Sequence, residues 1–267
     1  MIICRPFRSK RVMPFLGLVS LLLLGGIYFA LSVHQHARNP KDTTIPNLQQ
    51  LVEGFKKTIT PSQRGEIWLS VDLKATFSRL FYGLFIAIVL SLALGIGMGC
   101  FATLEGLLSP VISILAKLTP TAMLAVFFVI FGTGATMFVS MIVFGIVPSL
   151  TQSIFLAVKK VPRELVDKAY TLGGSTFEVI WFVIFKQVLP VFINSVRLSI
   201  GPAMVFLIAA EMLVGDAGFG YRIRIQSRLL NMNVVYLYLA LLASFGYLMD
   251  YALKWLNRRL CAWYSAG

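Results

Sequence analysis

Charged side chains vanish from three long stretches of the chain: Val12–Val33, Leu80–Leu104 and, beyond an isolated Lys117, Leu118–Val158. Each matches or exceeds the ~18–20 apolar residues that carry a helix across a bilayer. The last would make a helix of about 60 Å at ~1.5 Å per residue, against a hydrocarbon core of about 30 Å. It must therefore turn, and Gly132-Thr133-Gly134 is where it can. The pattern predicts spans over 12–33, 75–104, 108–131, 135–158, 190–213 and 234–256. Pro120 and Pro148 fall inside spans and predict kinks there. Gly95-Ile96-Gly97-Met98-Gly99 either lets a second helix approach closely or simply makes that span glycine-rich.

The polar intervals divide the chain into a tail and first span (1–33), a polar segment (34–72) and a transmembrane core (73–260). Within 34–72, Ile45, Leu48, Val52 and Phe55 recur at helical spacing. They predict an amphipathic helix, lying on the membrane or on the protein's own helices, with Pro46 in its first turn. Trp68 suits an interfacial anchor. Polar segments at 159–187 and 215–233 separate the later spans.

Composition strengthens this reading. The chain is 267 residues long, 58% hydrophobic and only 13% charged, where soluble domains average about 25% charged. The net charge of +13 would suggest nucleic acid in a soluble protein. Here it fits basic loops held on the cytoplasmic side. Arg5, Arg8, Lys10 and Arg11 precede the first span, and Lys159, Lys160, Arg163, Lys168 and Lys186 lie in the central loop. Lys254, Arg258 and Arg259 close the last span, so both termini and the central loop are expected in the cytoplasm. The first apolar run exceeds the ~7–15 residues of a signal-peptide core and no convincing small-x-small cleavage site follows, so a retained helix is expected. Cys4, Cys100 and Cys261 have no paired or metal-type spacing and are expected as free thiols. His34 and His36, the only histidines, are too few to form a metal site.

The central loop is the most structured polar stretch. Pro162 can open a helix, and Leu165, Ala169 and Leu172 give it an apolar stripe. Gly173 or Gly174 can end it in a left-handed cap. Ser175, with Glu178 three residues on, is a capping box that starts a second helix. Two short helices around a glycine corner make a shape that can slot into a partner.

Pro162–Gly173 resembles the cytoplasmic "EAA" loop of permease subunits in ATP-binding-cassette (ABC) importers. Asp167, Lys168 and Ala169 occupy the Glu-Ala-Ala places, Gly173 the glycine and Pro190 a later proline, while Phe185-Lys186 stands where Leu-Pro is usual. Residues 208–223, with 78–84 and 249–260, are similar to the nitrate, sulfonate, taurine and bicarbonate permease group, and the likeness spans roughly 40–260. The resemblance implies an all-α membrane protein of the type I importer class with about six transmembrane helices and cytoplasmic coupling helices. It implies a second permease copy, identical or a paralogue, cytoplasmic ATPase subunits carrying ATP-Mg, an external solute-binding protein, and a bacterial inner-membrane location. The coupling residues would be Arg163, Glu164, Asp167, Ala169, Gly173, Gly174, Ser175 and Glu178. No GxxxxGK[ST] occurs, so the energy for transport must enter from a partner and no cofactor is expected on this chain.

Ionisable and polar residues within spans are the pathway candidates: Thr119, Thr121, Gln152, Arg197 and Glu211. Arg197 either snorkels to the interface or meets an anion. Glu211 is expected to be structural, paired with Arg222 or Arg224 or holding the Gly215–Gly220 turn, because a carboxylate repels anions. The implied cargo is a small anion such as nitrate, bicarbonate or a sulfonate such as taurine. A thiamine precursor or another heterocycle is the alternative, and a non-transport assembly protein a further one. A membrane-embedded enzyme would need clustered catalytic groups, which the pattern lacks.

Overall fold

A computed structural model describes residues 12–38, 43–61 and 67–261. The basic tail and Cys4 lie outside them. The described chain is helical: α1 (Val12–Arg38), α2 (Leu48–Ile59), α3 (Trp68–Cys100), α4 (Ala102–Leu115), α5 (Leu124–Phe131), α6 (Ala135–Lys159) and α7 (Arg163–Thr171). There follow α8 (Thr176–Glu178), a π-helical segment (Val179–Ile184), α9 (Phe185–Val214), α10 (Phe219–Arg228) and α11 (Met232–Leu260). Helices long and apolar enough to cross a membrane run over Trp68–Cys100, Ala135–Lys159, Thr176–Val214 and Met232–Leu260.

The expected span over 108–131 is not one helix. The chain leaves helical geometry at Phe101, forms α4, and breaks again before α5. Pro120 accounts for the second break: its ring disfavours helical geometry at Thr119 and it has no N–H to donate. The start of α2 also differs from expectation. Asn47, not the turn around Pro46, caps it, its side chain accepting from the Gln50 N–H while Gln50 reaches back. The face carrying Leu48, Val52 and Phe55 points away from the protein, and Gly54 and Thr58 pack inward, Gly54 against the backbone at Asn233 of α11.

The centre of the fold is the α3–α6 contact. Gly83, Ala87, Ser91, Gly95 and Gly99 repeat every fourth residue, a single face of α3. Ile142, Ile146, Leu150, Ile154 and Val158 repeat likewise on α6 and are buried. The two faces interlock so closely that a methyl group added at Gly95 would lie 2.7 Å from Ile154. Lipid tails are as apolar as leucine, so no hydrophobic force pulls helices together within the bilayer; small residues permit the van der Waals approach that does. Gly83, Gly95 and Gly99 of the second span therefore serve close approach. The same core takes in Val188, Val196, Ala203 and Leu207 of α9. A second, smaller cluster joins Phe219 and Ile223 of α10 to Val234, Val235 and Tyr238 of α11.

Candidate functional site

At one end of the bundle the 159–187 segment carries the expected helix, corner and helix. Gly173 has φ +84°, the left-handed conformation that a side chain disfavours. Its N–H donates to the Tyr170 carbonyl and the Gly174 N–H to the Ala169 carbonyl, so two orphan carbonyls at the end of α7 are satisfied. The Ser175 N–H donates to Glu178 Oε2 at 2.8 Å, and Ser175 Oγ accepts from the Glu178 N–H at 3.4 Å. The expectation of a short second helix is corrected. From Thr176 the chain stays helical through the π segment to Val214, so the corner is joined rigidly to a transmembrane helix.

Polarity at this corner is inverted relative to a closed surface. Leu172 is 88% exposed and Phe177 74%, and Tyr170, Trp181 and Phe182 are exposed beside them. Trp181 and Phe185 stack at 5.1 Å on the widened π turn. Arg163, Glu164, Asp167 and Lys168 are exposed on α7, and their side chains make no ion pair or hydrogen bond among the described residues. Lys186, in the usual place of a proline, stands over the Phe182 ring at 5.4 Å. The exposed aromatics were not singled out from sequence, because phenylalanine and tryptophan next to a span read as membrane anchors.

The opposite end, at α10, carries buried charge. Glu211 of α9 is fully buried and accepts from Thr76 Oγ1, the Arg79 guanidinium and the Gly220 N–H, each at 3.0 Å. The Gly220 bond fits the expected turn-holding role. The expected partner is corrected: the cation is Arg79 of α3. Arg222 instead pairs with Asp72 at 2.7 Å, and Arg224 donates to the Leu213 and Gly215 carbonyls. Asp72, also fully buried, accepts further bonds from the Gly218 N–H and the Tyr238 hydroxyl. Gly218 has φ +120°, and a Cβ there would collide with the Glu211 carboxylate. The Arg222 guanidinium lies 4.5 Å above the Trp68 ring, giving that residue an intramolecular role beyond an interface anchor. Two carboxylates, one each from α3 and α9, thus clasp the α10 turn onto the bundle. Asp72, Thr76 and Arg79 were missed because Asp72 closes a polar stretch that reads as loop; their spacing on one helix face was the available signal.

The pathway candidates are scattered. Thr119 and Thr121 are exposed in the break between α4 and α5, and Gln152 is exposed on α6. Arg197 lies 2.8 Å from Asp250 of α11, with its Nε–H turned off the carboxylate, and Asp250 also takes Lys254 at 2.6 Å. No hydrogen bond or ion pair joins these candidates to one another among the described residues. Ser149 and Gln152 on α6 and Asn194 on α9, two helices packed side by side, are among the polar side chains exposed on the long apolar helices; Asn194 was missed as a lone amide near a span's start.

Among the described residues, four long apolar helices, a clasped end and an end with an open helical corner define a multi-span integral membrane protein. Comparison of sequences assigns its kind. Residues 67–261 match the family "Binding-protein-dependent transport system inner membrane component", and the chain belongs to that family of ABC permeases. It is 30% identical over 221 residues to the taurine transport system permease protein TauC of Escherichia coli (strain K12), covering 83% of this chain and 80% of TauC. It is 26% identical to the putative aliphatic sulfonates transport permease protein SsuC of Bacillus subtilis (strain 168), covering 83% and 78% of the two chains. Among solved structures, an inward-facing MetNI methionine ABC transporter chain matches with TM-score 0.63 at 20% identity, over 74% of this chain and 99% of that one. That likeness bears on the fold alone.

Proposed function

We propose that this chain forms the translocation pathway of an ATP-driven importer for a small anion, an organic sulfonate such as taurine before nitrate or bicarbonate. A separate cytoplasmic ATPase acts through the 159–187 loop. The observation that carries the coupling is the open corner: exposed Leu172 and Phe177 beside an unpaired Asp167, on a rigid extension of a transmembrane helix. Exposed apolar and unpaired charged groups on a well-capped scaffold mark a surface completed by another protein. The likeness to TauC and SsuC supports the cargo class.

The pathway itself runs along the outward faces of α6 and α9, where the Gln152 and Asn194 amides offer neutral hydrogen-bond donors beside Ser149, whose hydroxyl donates to the Ile146 carbonyl. Uncharged donors can bind an anion and still release it. An exposed amide at hydrocarbon depth is costly against lipid, so these faces meet water or a second permease copy, identical or a paralogue. The α7 end and both termini face the cytoplasm, and the α10 end faces the external binding protein.

The test is ATP-dependent uptake of radiolabelled taurine by proteoliposomes holding the permease, its ATPase and its binding protein. Asp167→Lys should abolish uptake and loosen ATPase co-purification while changing permease stability by less than ~0.5 kcal/mol, as for an exposed surface site. Uptake that survives this substitution overturns the assigned coupling surface. Uptake of nitrate or bicarbonate in place of taurine overturns the cargo alone.

A further inference from the structure

Behind α7, between it and the transmembrane core, lies a cavity of 280 Å³. Its back wall is the close approach of α3 and α6, where a Cβ at Gly99 would stand 2.5 Å from Val158. Its floor is apolar, built from Val158, Val166, Ile180 and Ile184. Its rim is polar and cationic. Arg163 and Tyr170 reach it from one stripe of α7, Thr176 from the start of α8 and Lys159 from the end of α6. Glu105 neutralises Lys159 at 2.6 Å. The Arg163 guanidinium and the Tyr170 and Thr176 hydroxyls have no hydrogen-bond partner among the described residues, which leaves one uncompensated positive charge beside two free hydroxyls.

We infer that this cavity is a second binding site, distinct from the translocation face and set behind the Asp167–Leu172–Phe177 surface, whose edge it shares through Arg163 and Tyr170, for an amphipathic organic anion. The short apolar body rests on the valine and isoleucine floor. The anionic head takes Arg163 and the two hydroxyls. An apolar hollow alone would fit any apolar group, but the unmatched guanidinium at its mouth selects the anion. Both an alkyl sulfonate in solution and an anionic phospholipid present this chemistry. The occupant lies against the inner stripe of α7 (Arg163, Val166, Tyr170), so its presence limits how far α7 can move toward the core. The site gives the coupling corner a response to the organic anions on its own side of the membrane.

Cys100 also lines the cavity, while Cys261 is buried elsewhere. With Cys4 and Cys261 replaced by serine in the permease–ATPase complex, the alkylation rate of Cys100 by N-ethylmaleimide reports occupancy. In phosphatidylcholine nanodiscs, hexanesulfonate at about ten times its dissociation constant should slow alkylation about tenfold, saturably, where sodium sulfate does not. Nanodiscs containing phosphatidylglycerol, without sulfonate, test the lipid source. Protection in either arm supports the site and names the source. Arg163→Glu should remove the protection. Thr176→Glu should do the same, and it places its carboxylate in a helix's first turn, where folding tolerates it. No protection in either arm, or protection that persists in both variants, overturns the inference. The readout needs no transport, so its failure is separable from failure of the permease reading.

Discussion

The two ends of this bundle handle charge in opposite ways. At the α10 end, Asp72 and Glu211 are fully buried, and each is matched by an arginine and by one backbone N–H. At the α7 end the acidic and basic side chains of α7 are exposed and unpaired, and large apolar groups stand in the open. The first arrangement is complete within one chain. The second is well formed in its backbone, with a satisfied glycine cap and a capping box, yet unfinished on its surface. One end is thus rigid by its own chemistry, and the other is shaped in advance for something else to cover. Under the proposed function, mechanical input enters at the open corner and the clasped end holds its geometry.

The largest expected effect lies in the clasp. Glu211→Gln keeps the side chain's size but leaves the Arg79 guanidinium, only 12% exposed, with a neutral amide in place of its close partner and only the exposed Asp216 carboxylate, at 3.5 Å, as an anion. Removing one partner of a buried pair typically costs ~3–5 kcal/mol, because the other charge stays buried. The amide still accepts some of the Thr76 and Gly220 bonds, so the loss should fall near the lower end. A thermal melt of the purified permease in detergent would register it as a drop of several degrees. An unchanged melt would mean that the α10 end is not self-contained, and the contrast with the α7 end would collapse.

Next comes the helix contact that joins the ends. Gly95→Leu forces a side chain into a space where even a Cβ stands 2.7 Å from Ile154, and overpacking of this kind costs ~1–3 kcal/mol. Gly97→Leu, one helix face away, meets only the tip of Leu104 at 3.3 Å and should cost much less. Equal losses in the two variants would show that α3 and α6 do not meet along the four-residue repeat.

How far the sequence anticipated all this depends on the range of each interaction. The open corner was legible because its determinants are local: Gly173 needs only its own backbone conformation, and Ser175 and Glu178 are three residues apart. Long apolar runs likewise announced the helices. The break that splits the expected 108–131 span is carried by Pro120, for which the sequence pattern predicts only a kink. The clasp was hidden because the bonds made by its α3 side chains join residues 132 to 166 positions apart, such as Arg79 with Glu211 and Tyr238 with Asp72. Arg222 and Arg224 were nearer in sequence to Glu211 and looked the better partners. Helix packing, not spacing, brings Arg79 to the carboxylate. The cavity behind α7 was hidden for the same reason, since its walls come from α3, α6, α7 and the π segment.

At the open corner, changes in stability should be small and changes in coupling large. Gly173→Ala places a methyl group on a residue at φ +84°, at a cost of ~1–2 kcal/mol for the left-handed conformation, with no atom within 4 Å to obstruct it. That strain is paid locally, so the end of α7 frays while the bundle's melt shifts little. ATP hydrolysis by the partner should then continue with reduced uptake, because the ATPase would move against a corner that no longer transmits the motion.

The smallest effect separates backbone shape from surface chemistry. Ser175→Ala removes the side-chain acceptor for the Glu178 N–H but leaves every exposed aromatic in place. Loss of such a cap costs ~0.5–2 kcal/mol, and the lower part of that range applies here because the bond is long at 3.4 Å and solvent-exposed. If the corner acts as a rigid lever, uptake per ATP hydrolysed should fall measurably in Ser175→Ala and further in the Gly173→Ala, Ser175→Ala double variant. If the exposed Leu172 and Phe177 surface alone carries the coupling, that ratio should stay at the wild-type value in the single variant. The ratio therefore decides whether the caps shape a lever or only present a surface, which the contrast between the clasped and open ends leaves as two distinct mechanisms.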